Sequence, residues 1–169
     1  SFNDGSSEAS VNLRLAKFLR DRLLAAGYDV LMLRDGDDVQ LDNIARTVIC
    51  NNVADCHISI HFDGDGLDTD KGCFFISVPD GIKSMPPVVS TWHMSDELGT
   101  QIVKALSASG HKLYNGGSMA LDLTQTSFST IPSVDVEYGN QCSDTSDEAL
   151  DSYAAATVEG LEDFFDVSN

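Results

Sequence analysis

Cys56-His57-Ile58-Ser59-Ile60-His61-Phe62 decides how this chain folds. Ile58 and Ile60 alternate with His57, Ser59 and His61, which is the two-residue period of a strand and not the 3.6-residue period of a helix. On a helix, His-x-x-x-His would bring both rings to one face. On a strand rising about 3.3 Å per residue they stand roughly 13 Å apart, too far to share a metal ion bound at about 2 Å. Only one of the two can be a ligand, and the position at the end of the strand selects His61. His57 then reads as a core or edge histidine, while His93 and His111 have no supporting pattern.

Upstream of this strand, Val11, Leu15, Phe18, Leu19 and Leu23 fall on one face of a helix spanning Glu8 to Ala26. Ser6 or Ser7 can cap its first turn, and Gly27 ends it in the left-handed conformation. Tyr28 to Leu33 reads as a buried strand, followed by the acidic turn from Arg34 to Asp38. A second helix is expected from about Leu41 to Val53, with Leu41, Ile44, Ala45, Val48 and Ile49 facing inward.

Downstream lie a Gly- and Asp-rich loop (63–72), a strand from Cys73 to Val78 and a helix from about Ser95 to Ala108. A short strand near Met119 to Leu123, a strand from Ser133 to Tyr138 and a helix from about Asp147 to Phe165 complete the pattern. This alternation predicts one α/β domain over residues 1–169, with a mostly parallel twisted sheet and helices on both faces. Such a sheet ordinarily opens with a strand. Ser1 to Ser7 is too polar to be one, so the first strand is expected upstream of Ser1.

The bulk properties narrow the partners. A net charge of −17, with only ten Lys and Arg, argues against nucleic acid and anionic lipid surfaces. No stretch approaches the ~20 apolar residues of a membrane helix, so no membrane insertion is expected. Cys50, Cys56, Cys73 and Cys142 show no C-x-x-C pairing and read as core thiols, with disulfides the alternative. The run from Asp63 to Asp70 misses the EF-hand register: counted from Asp63, Leu67 is fifth, Gly66 fourth and Phe74 twelfth. A solvated loop fits it better than a calcium site. Oligomeric state is not legible.

In open α/β sheets, chemistry collects beyond the carboxyl ends of strands and at helix N-termini. Glu8, His61 and Glu137 satisfy that placement and are expected to converge on one cleft. Singly, each has a plainer reading. A helix dipole stabilises any first-turn Glu, and a strand-end His is commonly just hydrogen-bonded. Glu137 is less ordinary, because a carboxylate among Val134, Val136 and Tyr138 is costly unless paired, metal-bound or tuned for proton transfer.

Taken together, these segments resemble the zinc-dependent N-acetylmuramoyl-L-alanine amidases of bacterial cell walls. The resemblance rests on Glu8 with Val11-Asn12-Leu13, on Val30-Leu31-Met32-Leu33-Arg34 with Asp37 or Asp38, and on Leu41 with Arg46. It continues through Ala54-Asp55 and Ile58-Ser59-Ile60-His61, and closes with Ile131-Pro132-Ser133-Val134-Asp135-Val136-Glu137-Tyr138-Gly139. It implies Glu8 and His61 as ligands of Zn2+, a further histidine ligand upstream of Ser1, and Glu137 as the catalytic glutamate. It also implies a peptidoglycan substrate, cleaved between N-acetylmuramic acid and L-alanine, and a place outside the cell, in the envelope or in a phage. Phe62-Asp63 replaces the usual small and amide residues after the histidine, and Asp135 interrupts an otherwise apolar strand. Both departures bear on substrate preference more than on fold. A domain of the same fold that binds or regulates the wall without turnover is the alternative.

Overall fold

A computed structural model of the chain describes residues 1–2, 4–37 and 39–167. Helix α1 (Glu8–Ala25) is capped by the Ser7 hydroxyl, which accepts from the Ser10 N–H, and Gly27 follows it at φ +93°. Four strands, β1 (His57–Asp63), β2 (Cys73–Ser77), β3 (Leu113–Ala120) and β4 (Ser133–Asn140), form one sheet in the order β1-β4-β2-β3. The pairs β1/β4 and β2/β3 are parallel, and β2 meets β4 antiparallel. The remaining helices are α2 (Asn43–Val53), α3 (Trp92–Ala108), the single turn α4 (Thr124–Ser127) and α5 (Asp147–Val167).

Strand alternation sorts the sheet into two unlike faces. Phe62 from β1, Phe75 from β2, and Val134, Val136 and Tyr138 from β4 enter the core with Val11, Leu15 and Leu19 of α1, Leu98, Ile102 and Leu106 of α3, and Leu150, Ala154 and Leu161 of α5. Helices α3 and α5 approach closely because Gly160 has no side chain: a Cβ there would lie 2.5 Å from the Ile102 Cα. The intervening residues His57, Ser59, His61, Ser133, Asp135 and Glu137 must turn to the opposite face. There α2 and α4 pack on one another, and Asn43 of α2 and Gln125 of α4 border a cleft.

Three sequence expectations are corrected. Tyr28 to Leu33 forms no strand ladder. It is irregular backbone with Tyr28, Val30 and Met32 half-buried and Leu31 60% exposed, and the Tyr28 ring stacks on Phe165. A strand needs a neighbouring backbone to pair with, and this segment has none among the described residues.

Helix α2 turns a different face inward: Thr47 and Cys50 are buried, while Ile44 and Val48 are 66% and 54% exposed. Hydrogen bonds fix that rotation. The Asn51 amide donates to Phe128 O and accepts from the Thr130 N–H, and Arg46 donates to Leu41 O.

The strand placed near Met119 to Leu123 instead begins at Leu113. Asn115, Gly116 and Gly117 all have positive φ, and the ladder shifts register there, so the glycines form an irregularity inside the strand. The turn residue Asp38 lies outside the described residues. All four cysteines are free thiols, and no described helix is long and apolar enough to cross a membrane.

Candidate active site

The polar face of β1 and β4 is built as three facing pairs. Parallel register sets His57 against Ser133, Ser59 against Asp135 and His61 against Glu137. The first pair is closed off: His57, 8% exposed, shares a 2.9 Å hydrogen bond between Nδ1 and Ser133 Oγ. The other two pairs open on a cleft of about 220 Å³. His61, Asp63, Asp135 and Glu137 form one wall with Asn43 and Gln125, and Phe74, Ile76, Met119, Leu121 and Leu123 form an apolar one. A larger hollow of about 400 Å³ lies between Phe2, Arg14 and the 141–146 segment, and none of the three expected site residues lines it.

Helix α1 delivers Glu8 from its first turn to the carboxyl end of β1. His61 Nδ1 and Glu8 Oε1 are 3.1 Å apart, and the Asn12 amide donates to the same oxygen at 3.2 Å. On the other side of the ring, Nε2 lies 3.0 Å from Ser59 Oγ and 3.6 Å from Asp135 Oδ2. With acceptors at both nitrogens, the ring is held as an imidazolium. Burial opposes that charge, but the hydrogen bond to Glu8 and the charges of Asp135 and Glu137 outweigh it and hold His61 at about 9.

The carboxylates respond in kind. The hydrogen bond from His61 keeps Glu8 below its usual range against the effect of burial. Burial, reinforced by Asp135, pushes Glu137 up to about 8, and burial also raises Asp135 despite the nearby His61. Glu137 Oε2 and Asp135 Oδ1 are buried and have no hydrogen-bond partner among the described residues.

Glu8 and His61 therefore meet directly, and Glu137 stands across the ladder from His61 in the cleft, which Glu8 itself does not line. Among the described residues, no group of three or more His, Cys, Asp or Glu is placed to hold a metal. His111 bonds Ser152 Oγ at 2.8 Å and stacks on Tyr153, and His93 is exposed.

Sequence reasoning missed Asp135 and Ser59. The signal was present in Ser133-Val134-Asp135-Val136-Glu137, where a two-residue period puts Asp135 on the Glu137 face. Asp135 does not interrupt the apolar face; it belongs to the other one. Asp63, the second departure, is paired with Lys71 at the rim.

Residues 1–159 match the profile of the N-acetylmuramoyl-L-alanine amidases. The chain belongs to that family. Among solved structures, this amidase resembles the apo form of the N-acetylmuramyl-L-alanine amidase Ami1 from Mycobacterium abscessus, at 26% identity and TM-score 0.84, over 98% of this chain and 81% of that one. Ami1 from Mycobacterium smegmatis is similar at 26% identity and TM-score 0.84, over 99% and 81%. The CwlD amidase from Clostridioides difficile, solved in complex with the GerS lipoprotein, shares the fold at 21% identity and TM-score 0.83, over 98% and 90%. A search of curated protein sequences gave no match. As an amidase of this class, the protein is a hydrolase of cell-wall peptidoglycan.

Proposed function

We propose that this amidase cleaves the bond joining the lactyl group of N-acetylmuramic acid to L-alanine, at a zinc ion held by Glu8 and His61, with Glu137 moving the proton. The observation that carries the reading is the 3.1 Å approach of His61 Nδ1 to Glu8 Oε1, beside a cleft lined by His61 and Glu137 in which Glu137 Oε2 is buried and unpartnered among the described residues. Two donors bound to one tetrahedral zinc at about 2.0–2.2 Å lie roughly 3.3 Å apart. The pair fits that span, and one imidazole with one carboxylate suits the ion's chemistry. A catalytic zinc takes three protein donors and keeps one position open. Glu8 and His61 supply two of them in this reading.

Zinc in such a site acidifies water and polarises a carbonyl. Glu137 Oε2, with no competing hydrogen bond, accepts the proton of the attacking water and returns it to the leaving amine nitrogen of alanine. In the metal-free site His61 keeps Glu8 ionised, and the Asn12 amide donates to the same oxygen and aims it. The apolar wall of Ile76, Met119, Leu121 and Leu123 accommodates the methyl groups flanking the scissile amide and keeps water from that side. A wall substrate places the protein outside the cell, in the envelope or in a phage particle.

The test is zinc content and muramyl-peptide hydrolysis of the full-length gene product. Near-stoichiometric zinc is expected, lost in His61→Ala. Glu137→Gln should keep the zinc and lower kcat by about 10²–10⁴. Hydrolysis unchanged in Glu137→Gln would overturn the catalytic assignment, and a zinc-free protein that binds the wall without turnover would favour the non-catalytic reading.

A further inference from the structure

We infer that Asp135 is a positioning residue, which grips the Nε2 side of the His61 ring and so presents Nδ1 to the cleft as a metal donor. The inference deepens the zinc reading and rests on it. Asp135 is 4% exposed, and a buried carboxylate is costly unless something pairs with it. No lysine or arginine forms an ion pair with Asp135 among the described residues. Its one ion-pair contact is His61 Nε2, at 3.6 Å from Oδ2.

Ladder register explains how the contact is made. Asp135 stands opposite Ser59, one step before the His61–Glu137 pair, so its carboxylate reaches across and forward to the far side of the ring. Ser59 Oγ sits between them, 3.0 Å from Nε2, and lies within 3.4 Å of Gln125 Oε1, to which its hydroxyl donates. It therefore accepts from Nε2–H.

A neutral imidazole has one N–H and one lone pair, and which nitrogen keeps the proton is fixed by the bond made at the other side. With Ser59 and Asp135 holding the Nε2 proton in place, the proton that the imidazolium gives up to a metal is the one on Nδ1, the atom that faces Glu8. An anion behind the ring also makes that lone pair a stronger donor. An apolar residue at position 135 would leave Ser59 as the only hold on Nε2, and the ring free to turn over.

The experiment uses 15N-histidine-labelled full-length protein with Asp135→Leu, Asp135→Asn and Ser59→Ala. Two quantities are read: the Nε2–H proton resonance of His61 in the metal-free protein, and the zinc Kd from competition with a chelator. Urea unfolding shows that each variant is folded. In wild type the Nε2–H resonance should be downfield and slow to exchange.

Asp135→Leu should shift it upfield, speed its exchange and weaken zinc about 10–100-fold. Asp135→Asn, which keeps an acceptor oxygen but not the charge, should lie between. If Asp135→Leu does not fold, Asp135→Asn and Ser59→Ala decide. A Kd within about twofold of wild type and an unmoved resonance would overturn the inference. A wild type that binds no zinc defeats the zinc reading instead, and the metal-free resonance then decides the role of Asp135 alone.

Discussion

His57 and His61 are four residues apart on one strand and have opposite proton affinities. Burial, helped by Arg46 and His61, pushes His57 down to about 4 from an ordinary value of 6.5, so the folded protein keeps it neutral. The unfolded chain protonates His57 near 6.5, so between the two values the unfolded state binds more protons. The stability His57 permits is therefore complete above pH 6.5 and lost as pH falls towards 4. At about 1.4 kcal/mol per pH unit the loss is roughly 3 kcal/mol. Urea unfolding at both ends of that window should show a flatter pH dependence in His57→Gln than in wild type; equal slopes would assign the acid lability to other groups. Glu8, His61 and Glu137 were legible because each sits at the end of a strand or the start of a helix. Asp135 was not, because its meaning depends on a histidine on another strand, and sequence does not state which strands pair.

Individual elements show the same division. The 63–72 loop is pinned from within: Lys71 pairs with Asp63, lies 3.5 Å from Asp65, and stacks its ammonium 4.3 Å over the Tyr114 ring. That ammonium occupies the place a cation would take, so the melting temperature should not respond to added calcium. Lys71→Met, which leaves the two carboxylates facing each other, should cost roughly 2 kcal/mol in urea unfolding. Helices α3 and α5 depend on Gly160, where an added Cβ would strike the backbone at Gln101 and Ile102. Gly160→Ala should therefore destabilise by about 1–3 kcal/mol despite alanine's better helix propensity, and a gain in stability would show that the helices can part freely. The existence and order of these helices followed from apolar spacing alone. The rotation of α2 did not, since Asn51 and Arg46 set it through hydrogen bonds that hydrophobicity does not register.

For the molecule as a whole, charge is the dominant departure from the ordinary. Arg14–Asp147 and Arg22–Asp151 join α1 to α5, but a net charge of −17 leaves far more repulsive than attractive pairs. Raising ionic strength from about 0.01 M to about 0.15 M shortens the screening length from about 30 Å to about 8 Å. Repulsion, being longer-ranged and more numerous, should be relieved more than the exposed bridges are weakened, so the melting temperature should rise with salt. A fall would mean that the α1–α5 bridges outweigh the excess charge. The alternation of helices and strands was readable except at 28–33, which joins no ladder among the described residues, and at the start of β3. The order β1-β4-β2-β3 was not, because the last strand in the chain, β4, inserts between β1 and β2.

That strand order also sets when the site comes into being. His61 pairs with Glu137 across more than seventy intervening residues, so the wall of the cleft is a contact of high sequence separation, formed only after a large loop has closed. A chain still emerging from the ribosome and synthesised only as far as α4 already contains Glu8 and His61, but lacks β4, the strand that sets Asp135 and Glu137 beside the His61 ring. The cleft is thus absent from any product that terminates before β4.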